Sequence, residues 1–416
     1  MKRRILAGFL AATMGTSAMI VGVPVNAAPE VPYVAGQIMV EFRGDGTAAE
    51  VLRRHGLEKG PRIGSTDAHL ITVPTGKELQ LIEALNRSPA VEYAEPDHLV
   101  TTATDDKYFP RQYALENSGQ SFTNTDGTIS VAEGEVDADV DAVEAWHLTT
   151  GGGTKVAVLD SGVANDNEDI TPNVVARANF TNGESGDDNY GHGTHMAGHV
   201  AATADNTEGV AGVCPDCTIL DGKVLNDSGI GSSSSLANGI DWAVDNGAKV
   251  INMSLGVRAS RTLESAVNNA WNRGAVLVAA AGNGGNQNKI YPGAYPHVIA
   301  VAATDNNDVR ASFSTYGAGW VDVAAPGVNV YSTFPNHEFV LGEQNGRSRG
   351  YDVGNGTSVS SAIVAATAAL AWSSDPGATH TSVRATVEST ADRITGTGSS
   401  WAHGRVNACN AVRCIR

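Results

Sequence analysis

Gly354-Asn355-Gly356-Thr357-Ser358-Val359-Ser360-Ser361 joins a glycine-rich turn to a run of small apolar residues, Ile363-Val364-Ala365-Ala366-Thr367-Ala368-Ala369-Leu370-Ala371-Trp372. A run that is apolar nearly all round suits a helix buried at the centre of a large domain. Ser358 then stands at that helix's N-terminus, where unpaired backbone N–H groups and the positive end of the helix dipole stabilise negative charge on a nearby oxygen. Taken alone, the same residues also describe an ordinary Ser or Thr helix cap. The surrounding chain decides between a cap and a reactive serine.

Upstream of this helix, from Val136 onward, apolar strands alternate with helical segments. Lys155-Val156-Ala157-Val158-Leu159 is apolar enough for the middle of a parallel sheet, and Asp160-Ser161-Gly162 ends it. Further strands are expected at 219–225, 250–255, 276–280 and 298–302, with helices at 192–202, 234–246 and 263–273 between them. The alternation predicts an α/β fold, a doubly wound parallel sheet flanked by helices. Chemistry in such sheets gathers at the carboxyl ends of strands. Asp160, Ser254-Leu255-Gly256 and Gly282-Asn283 all occupy such ends.

Residues from about Val34 to Val100 form a separate, smaller pattern. Gln37–Phe42, His69–Val73 and Val91–Tyr93 read as strands, and Ala48–Arg54 and Glu78–Asn86 as helices, an order that suggests a βαββαβ unit of α+β, ferredoxin-like type. The Thr-rich stretch from Val100 to Asp106 carries no packing pattern and reads as an exposed linker open to proteolysis. At the N-terminus, Lys2-Arg3-Arg4, an apolar run from Ile5 towards Val25 and the small residues Ala27-Ala28 predict a secretory signal peptide over residues 1–28. The chain therefore divides into 1–28, 29–104 and 105–416, and no later segment is long and apolar enough to span a bilayer.

The 416 residues with 42% hydrophobic content can bury a sizeable core. A formal net charge of −17 speaks against a nucleic-acid-binding surface. No membrane partner is expected either, and the protein is expected to be a monomer. Export frames the cysteines: Cys214 with Cys217 and Cys409 with Cys414 are close pairs, and two local disulfides are expected.

Hydrolysis of an acyl bond by serine needs a nucleophile, an imidazole to take its proton, a carboxylate to orient the imidazole, and donors for the oxyanion. The chain offers Asp160 at a strand end, His192 within Gly191-His192-Gly193-Thr194-His195-Met196-Ala197-Gly198, and Ser358, in the order Asp, His, Ser. An α/β-hydrolase has the order Ser, acid, His and a G-x-S-x-G elbow, but Ser360 stands where its last glycine belongs. His195 and His199 recur with His192 at helical spacing, yet no H-E-x-x-H glutamate accompanies them, so a zinc site is rejected.

Val158-Leu159-Asp160-Ser161-Gly162, His192-Gly193-Thr194-His195-Met196-Ala197-Gly198, Ala281-Gly282-Asn283 and Gly356-Thr357-Ser358 together resemble the subtilisin-like serine proteases, thermitase-like ones in particular. The resemblance runs from about Asp105 to the C-terminus, and the preceding unit is similar to the family's inhibitory propeptide. It implies a secreted endopeptidase that cleaves protein or peptide substrates and is made as a self-processed zymogen, its own propeptide acting as intramolecular inhibitor. Ser358 would be the nucleophile, His192 the general base and acid, Asp160 its orienting carboxylate and Asn283 an oxyanion donor. Ser254, Leu255 and Gly256 would bind the peptide backbone, walling with Ala279, Ala280, Ala281 and Gly282 the pocket for the residue before the scissile bond. The loop Thr203–Val210 is similar to the family's calcium loop, implying a structural calcium ion held by Asp106, Asp169 and Asn206 with Ala204, Glu208 and Val210.

Two features depart from the family pattern. After the nucleophile, Val359-Ser360-Ser361-Ala362 replaces Met, Ala, Ser or Thr, and Pro, which leaves open a catalytically weak binding protein, or an esterase with the same triad. A polar insertion, Asn336 to Arg349, precedes the nucleophile and is expected to shape substrate access.

Overall fold

A computed structural model describes residues 33–64, 66–98, 104–183 and 185–415. The expected signal peptide and most of the linker lie outside them. The described chain falls into two compact units, with the division between His98 and Leu99.

The N-terminal unit runs β1 (Tyr33–Phe42), α1 (Asp45–Arg54), β2 (Ala68–Thr72), α2 (Glu78–Asn86) and β3 (Val91–His98). Its antiparallel sheet has three strands in the order β2-β1-β3. Ile38 and Val40 of β1, Leu52 of α1, Ile71 of β2 and Leu85 of α2 close its core. Of the βαββαβ order, the strand that would precede β2 is reduced among the described residues to a single bridge between Arg62 and His69. Pro61 shows why: it has no N–H to offer a ladder and contributes only its carbonyl, to Leu70 N.

The C-terminal unit begins with a short ribbon, β4 (Phe122–Thr123) and β5 (Ser130–Val131), and a single-turn helix α3 (Ala142–Trp146). There follow β6 (Lys155–Asp160), β7 (Val174–Asn179), α4 (His192–Ala201), β8 (Thr218–Lys223), α5 (Ser233–Asp245), β9 (Val250–Met253), α6 (Arg261–Asn272), β10 (Val276–Ala280) and β11 (Val298–Thr304). The chain closes with β12 (Val323–Pro326), the hairpin β13 (Val330–Thr333) and β14 (Tyr351–Gly354) enclosing α7 (Val340–Asn345), and then α8 (Thr357–Ser374), α9 (His380–Ser389) and α10 (Ala408–Cys414).

Seven strands form one parallel sheet in the order β12-β11-β10-β9-β6-β8-β7. Strand β6 explains the continuous apolar run: Val156 and Val158 enter the core shared with α4 and α8, while Ala157 and Leu159 enter the core under α5 and α6. Both faces are covered, so neither can be polar. Truncating such a residue, Leu159→Ala for example, would cost about 2–5 kcal/mol. The winding reverses at β6, which pairs with β8 on one side and β9 on the other. A crevice opens at such a reversal, beyond the carboxyl ends of the strands.

Helix α8 runs through the middle of the larger core, and every residue from Thr357 to Trp372 is buried. No helix among the described residues is long and apolar enough to cross a membrane. The cysteine expectation holds for Cys214 and Cys217, which are disulfide-bonded, and fails for Cys409 and Cys414, which are free. Both of the latter lie on α10, where five positions of separation turn the side chains about 140° apart at 3.6 residues per turn; Cys409 is buried and Cys414 exposed.

Candidate active site

Three separate elements deliver the catalytic candidates to the crevice. Asp160 is the last residue of β6 and fully buried. Its Oδ1 accepts the N–H of Ser161 at 2.7 Å and lies 2.8 Å from Nδ1 of His192. His192 opens α4, and the close approach depends on its neighbour Gly193, where a Cβ would fall 2.1 Å from the Gly162 carbonyl oxygen and 3.1 Å from Asp160 Cβ. The His-Gly pair is therefore a packing requirement as well as a motif.

Asp188 builds the entry to α4. Its Oδ1 accepts from Ser161 Oγ (2.8 Å) and Gly191 N (2.7 Å), and its Oδ2 from Thr194 N (2.8 Å) and Thr194 Oγ1 (2.6 Å). These donors occupy the carboxylate in full. Asp188 thus does the work of an N-cap for a helix whose cap residue, Gly191, has no side chain. Burial works against a charged His192, but the charge and hydrogen bond of Asp160, with the charge of Asp188, outweigh it and hold the imidazole pKa above its usual value. His195 and His199 are buried neutral bases: burial pushes His199 down to about 3, and His195 Nδ1 is 3.1 Å from the Thr333 carbonyl oxygen. Among the described residues no three His, Cys, Asp or Glu side chains are grouped to hold a metal ion.

Ser358 lies in the first turn of α8, whose leading amides have no carbonyl four residues back. Asn283 reaches this turn from the loop after β10, its Oδ1 accepting from Thr357 N at 2.9 Å and Thr357 Oγ1 at 3.0 Å. With its oxygen so engaged, the amide nitrogen is left for the cleft. A Cβ built at Gly356 (φ 149°) would stand 2.8 Å from Ser358 Oγ and 3.3 Å from Asn283 Nδ2. Any side chain at this position would crowd both the nucleophile and the donor, so the glycine keeps the space between them clear.

The altered turn after Ser358 is internally satisfied. Ser360 Oγ donates to the carbonyls of Ala325 (2.9 Å) and Pro326 (3.1 Å). Ser361 Oγ donates to Asn252 Oδ1 (2.8 Å), Asn252 Nδ2 to Ser254 Oγ (2.9 Å), and Ser254 Oγ to the Ser358 carbonyl (2.8 Å). The replaced residues tie the serine's own backbone to β9 rather than loosening it.

A cavity of about 560 Å³ beside the serine is lined by His192, Ser254, Leu255, Gly256, Gly282 and Asn283, with Ala280 and Arg258. Ala281, expected in its wall, faces away into a small core with Ala302, Val321 and Trp401. Side chains alternate along the strand leaving β10, so Ala280 takes the place in the wall. The calcium-loop residues also converge. Asp106 accepts from Asp205 N and Asn206 N, both at 3.1 Å, and Asp169 accepts from Asn206 Nδ2 (2.7 Å) and Val210 N (2.9 Å).

Residues 151–405 match the family model of the subtilase family, and residues 21–97 that of the fervidolysin N-terminal prodomain. The chain belongs to the subtilase family: it is a serine endopeptidase carrying an N-terminal prodomain. It is 45% identical over 276 residues to thermitase of Thermoactinomyces vulgaris, covering 66% of this chain and 94% of the relative. To the thermophilic serine proteinase of Bacillus sp. (strain AK1) it is 38% identical over 389 residues, covering 91% and 88%. Among solved structures, a protease of Pseudoalteromonas arctica matches with a TM-score of 0.65 at 29% identity, over 76% of this chain and all of the other.

Proposed function

We propose that this subtilase cleaves peptide bonds through Asp160, His192 and Ser358, and that it is secreted as a zymogen which processes itself near Thr104. The observation that carries the reading is the 2.8 Å contact between His192 Nδ1 and Asp160 Oδ1, with His192 and Ser358 lining one cleft. His192 takes the Ser358 proton as Oγ bonds to the substrate carbonyl carbon. Negative charge on the carbonyl oxygen is met by Asn283 Nδ2 and the first-turn N–H of Ser358. His192 then protonates the leaving amine as the C–N bond breaks, and water repeats the sequence to free the serine.

Residues 1–28 would direct export, residues 29–104 would be the propeptide and linker, and 105–416 the peptidase. The lining of the 560 Å³ cavity, with Leu255, Ala280 and the glycines Gly256 and Gly282 and with no carboxylate, supports an apolar or broad preference before the cleaved bond. Incubating purified precursor and mapping its new N-terminus by mass spectrometry tests the reading. Wild type is expected to be cut close to Thr104 and Ser358→Ala to remain whole; a processed Ser358→Ala protein would overturn it.

A structural calcium ion fits the loop after α4. Asp169 is pushed up to about 7, first by burial and then by the charges of Asp106 and Glu168, so a cation there would relieve a carboxylate that otherwise prefers a proton. The side chains of Asp106, Asp169 and Asn206, with the carbonyls of Ala204, Glu208 and Val210, would supply the hard oxygen set that calcium takes. Bound calcium would contribute stability and take no part in bond cleavage.

A further inference from the structure

The insertion before the nucleophile is anchored beside the catalytic histidine. Val340 N and Leu341 N each donate at 3.0 Å to the carbonyls of Asn189 and Tyr190, just upstream of His192. Phe339, buried, stacks on Phe334 with ring centroids 4.9 Å apart. Gly346, in a left-handed conformation (φ 61°), ends α7, and Arg347 N returns to the Gly342 carbonyl at 3.0 Å. That turn places Arg347 in the wall of a cavity of about 230 Å³ which also includes His192, Ser358, Val359, Leu341 and Asn345.

The Arg347 guanidinium has a buried nitrogen, Nη1, without a hydrogen-bond partner, and the residue makes no ion pair among the described residues. This stands out in a protein with 28 Lys and Arg against 45 Asp and Glu. Its neighbour Arg349 is paired with Glu338, and the buried Arg405 with Asp308 and Asp392. An enclosed cationic nitrogen left without a partner costs free energy that a carboxylate would return, and a guanidinium matches a carboxylate with two parallel N–H bonds.

We infer that Arg347 makes this cavity a carboxylate-binding subsite on the leaving-group side of the scissile bond, favouring Asp or Glu as the residue immediately after the cut. The inference rests on the reading of Ser358 and His192 above. Leu255, Gly256, Gly282 and Asn283 line the cavity assigned to the acyl side; the 230 Å³ cavity shares only His192 and Ser358 with it. A group touching both catalytic residues from this other side belongs to the amine that leaves.

The test uses the mature protein and matched quenched peptides differing only in the residue after the cut: Asp, Asn or Lys. A further peptide has a neutral residue there that ends the chain, as free acid or amide. Wild type is expected to prefer Asp over Asn by about tenfold or more in kcat/KM, the size of a charged hydrogen bond. Arg347→Met should bring the ratio to about one, and Arg347→Glu should favour Lys over Asp, a reversal that simple damage to the loop would not give. Ratios within one variant are independent of how much of it folds. Equal rates for Asp and Asn in wild type, or a ratio surviving in Arg347→Met, would overturn the proposal; so would a gain confined to the free-acid peptide, which would assign the site to a chain terminus. The same peptides titrated onto Ser358→Ala, first cut at the linker in trans by wild-type protein and freed of its prodomain, read binding without turnover. A tenfold Asp preference there, lost on adding Arg347→Met, supports the subsite even if Ser358 and His192 prove not to cleave, and equal binding overturns it.

Discussion

His192 Nδ1 stands 2.8 Å from Asp160 Oδ1, and the other oxygen of that carboxylate, Oδ2, is buried with no partner among the described residues. The imidazole thus shares Oδ1 with the Ser161 N–H alone, and it is the one titratable group bonded to this carboxylate among the described residues. Because the charge of Asp160 raises the His192 pKa, the free enzyme should lose activity as pH falls through a value above the ordinary 6.5, since the base must be unprotonated to accept the serine proton. Asp160→Asn removes the raising charge and the correct tautomer together. We expect kcat to fall about 10⁴-fold and the acid limb of kcat/KM to move to lower pH. An unmoved limb in a pH–rate profile would show that another group controls it.

Asn283 is held by Thr357, which donates both N–H and hydroxyl to its side-chain oxygen. Asn283→Ala should lower kcat by about 10² to 10³ with little change in KM, the signature of a donor used only in the transition state. Thr357→Val removes one of the two bonds that aim the amide. A smaller loss, about tenfold, is expected because the main-chain bond remains and a single hydrogen bond contributes about 1 kcal/mol net. Steady-state kinetics on one peptide series separates the two, and equal losses would mean that Thr357 acts through something other than Asn283.

The elements that carry chemistry were legible because their residue types are unusual where they stand. An Asp ending an apolar strand, a His between glycines and a Ser heading an apolar helix each have an ordinary structural reading alone, and it is their company and order, Asp, His, Ser, that point to one site; the sheet's core strands announce themselves by runs buried on both faces. The edges were not legible. Strand β7, Val174–Asn179, alternates half-buried and exposed residues and carries Arg177 and Asn179, while β12 has four residues and ends in Pro326. Helix α7 is too short, at six residues, to show a period. Asp188 was visible as an acid but not as a cap, because its partners Ser161 and Thr194 lie on different elements. The serines after Ser358 read as a defect only because their acceptors, Ala325, Pro326 and Asn252, are remote in sequence.

Chelation should lower the melting temperature if calcium occupies the loop after α4. At a hundredfold excess over Kd, a ligand bound only by the folded state contributes about 2.7 kcal/mol, several degrees in Tm for a domain of this size. Scanning calorimetry on Ser358→Ala, which avoids self-digestion, should show that loss on adding EDTA. Asn206→Ala should shrink the gap between calcium and EDTA, since it removes the side-chain oxygen while leaving Asp106 and Asp169 in place. A wild-type Tm indifferent to EDTA would exclude a stabilising ion at this loop.

Arg177 on β7 faces Asp221 on β8 in register, and the two are joined at 2.7 Å. Burial pushes the Asp221 pKa up to about 7, even though Arg177, the Val163 N–H and Lys223 all pull it down. The folded state therefore binds a proton that the unfolded state, with an ordinary carboxyl near 3.8, has released. Between those two values the Asp221 contribution to stability falls as pH rises, and above them its charge depends on Arg177. Arg177→Met should raise the pKa further and extend the fall to higher pH. At pH 8.5 we expect a loss of about 3 kcal/mol, the low end for breaking a buried pair, because the Arg177 side chain is 30% exposed. At pH 5.5 Asp221 is protonated in both proteins, and the difference should shrink to under about 1 kcal/mol. Urea unfolding at the two pH values measures it, and adding Asp221→Leu to Arg177→Met should recover most of the loss at pH 8.5, since an apolar residue leaves no buried charge to compensate.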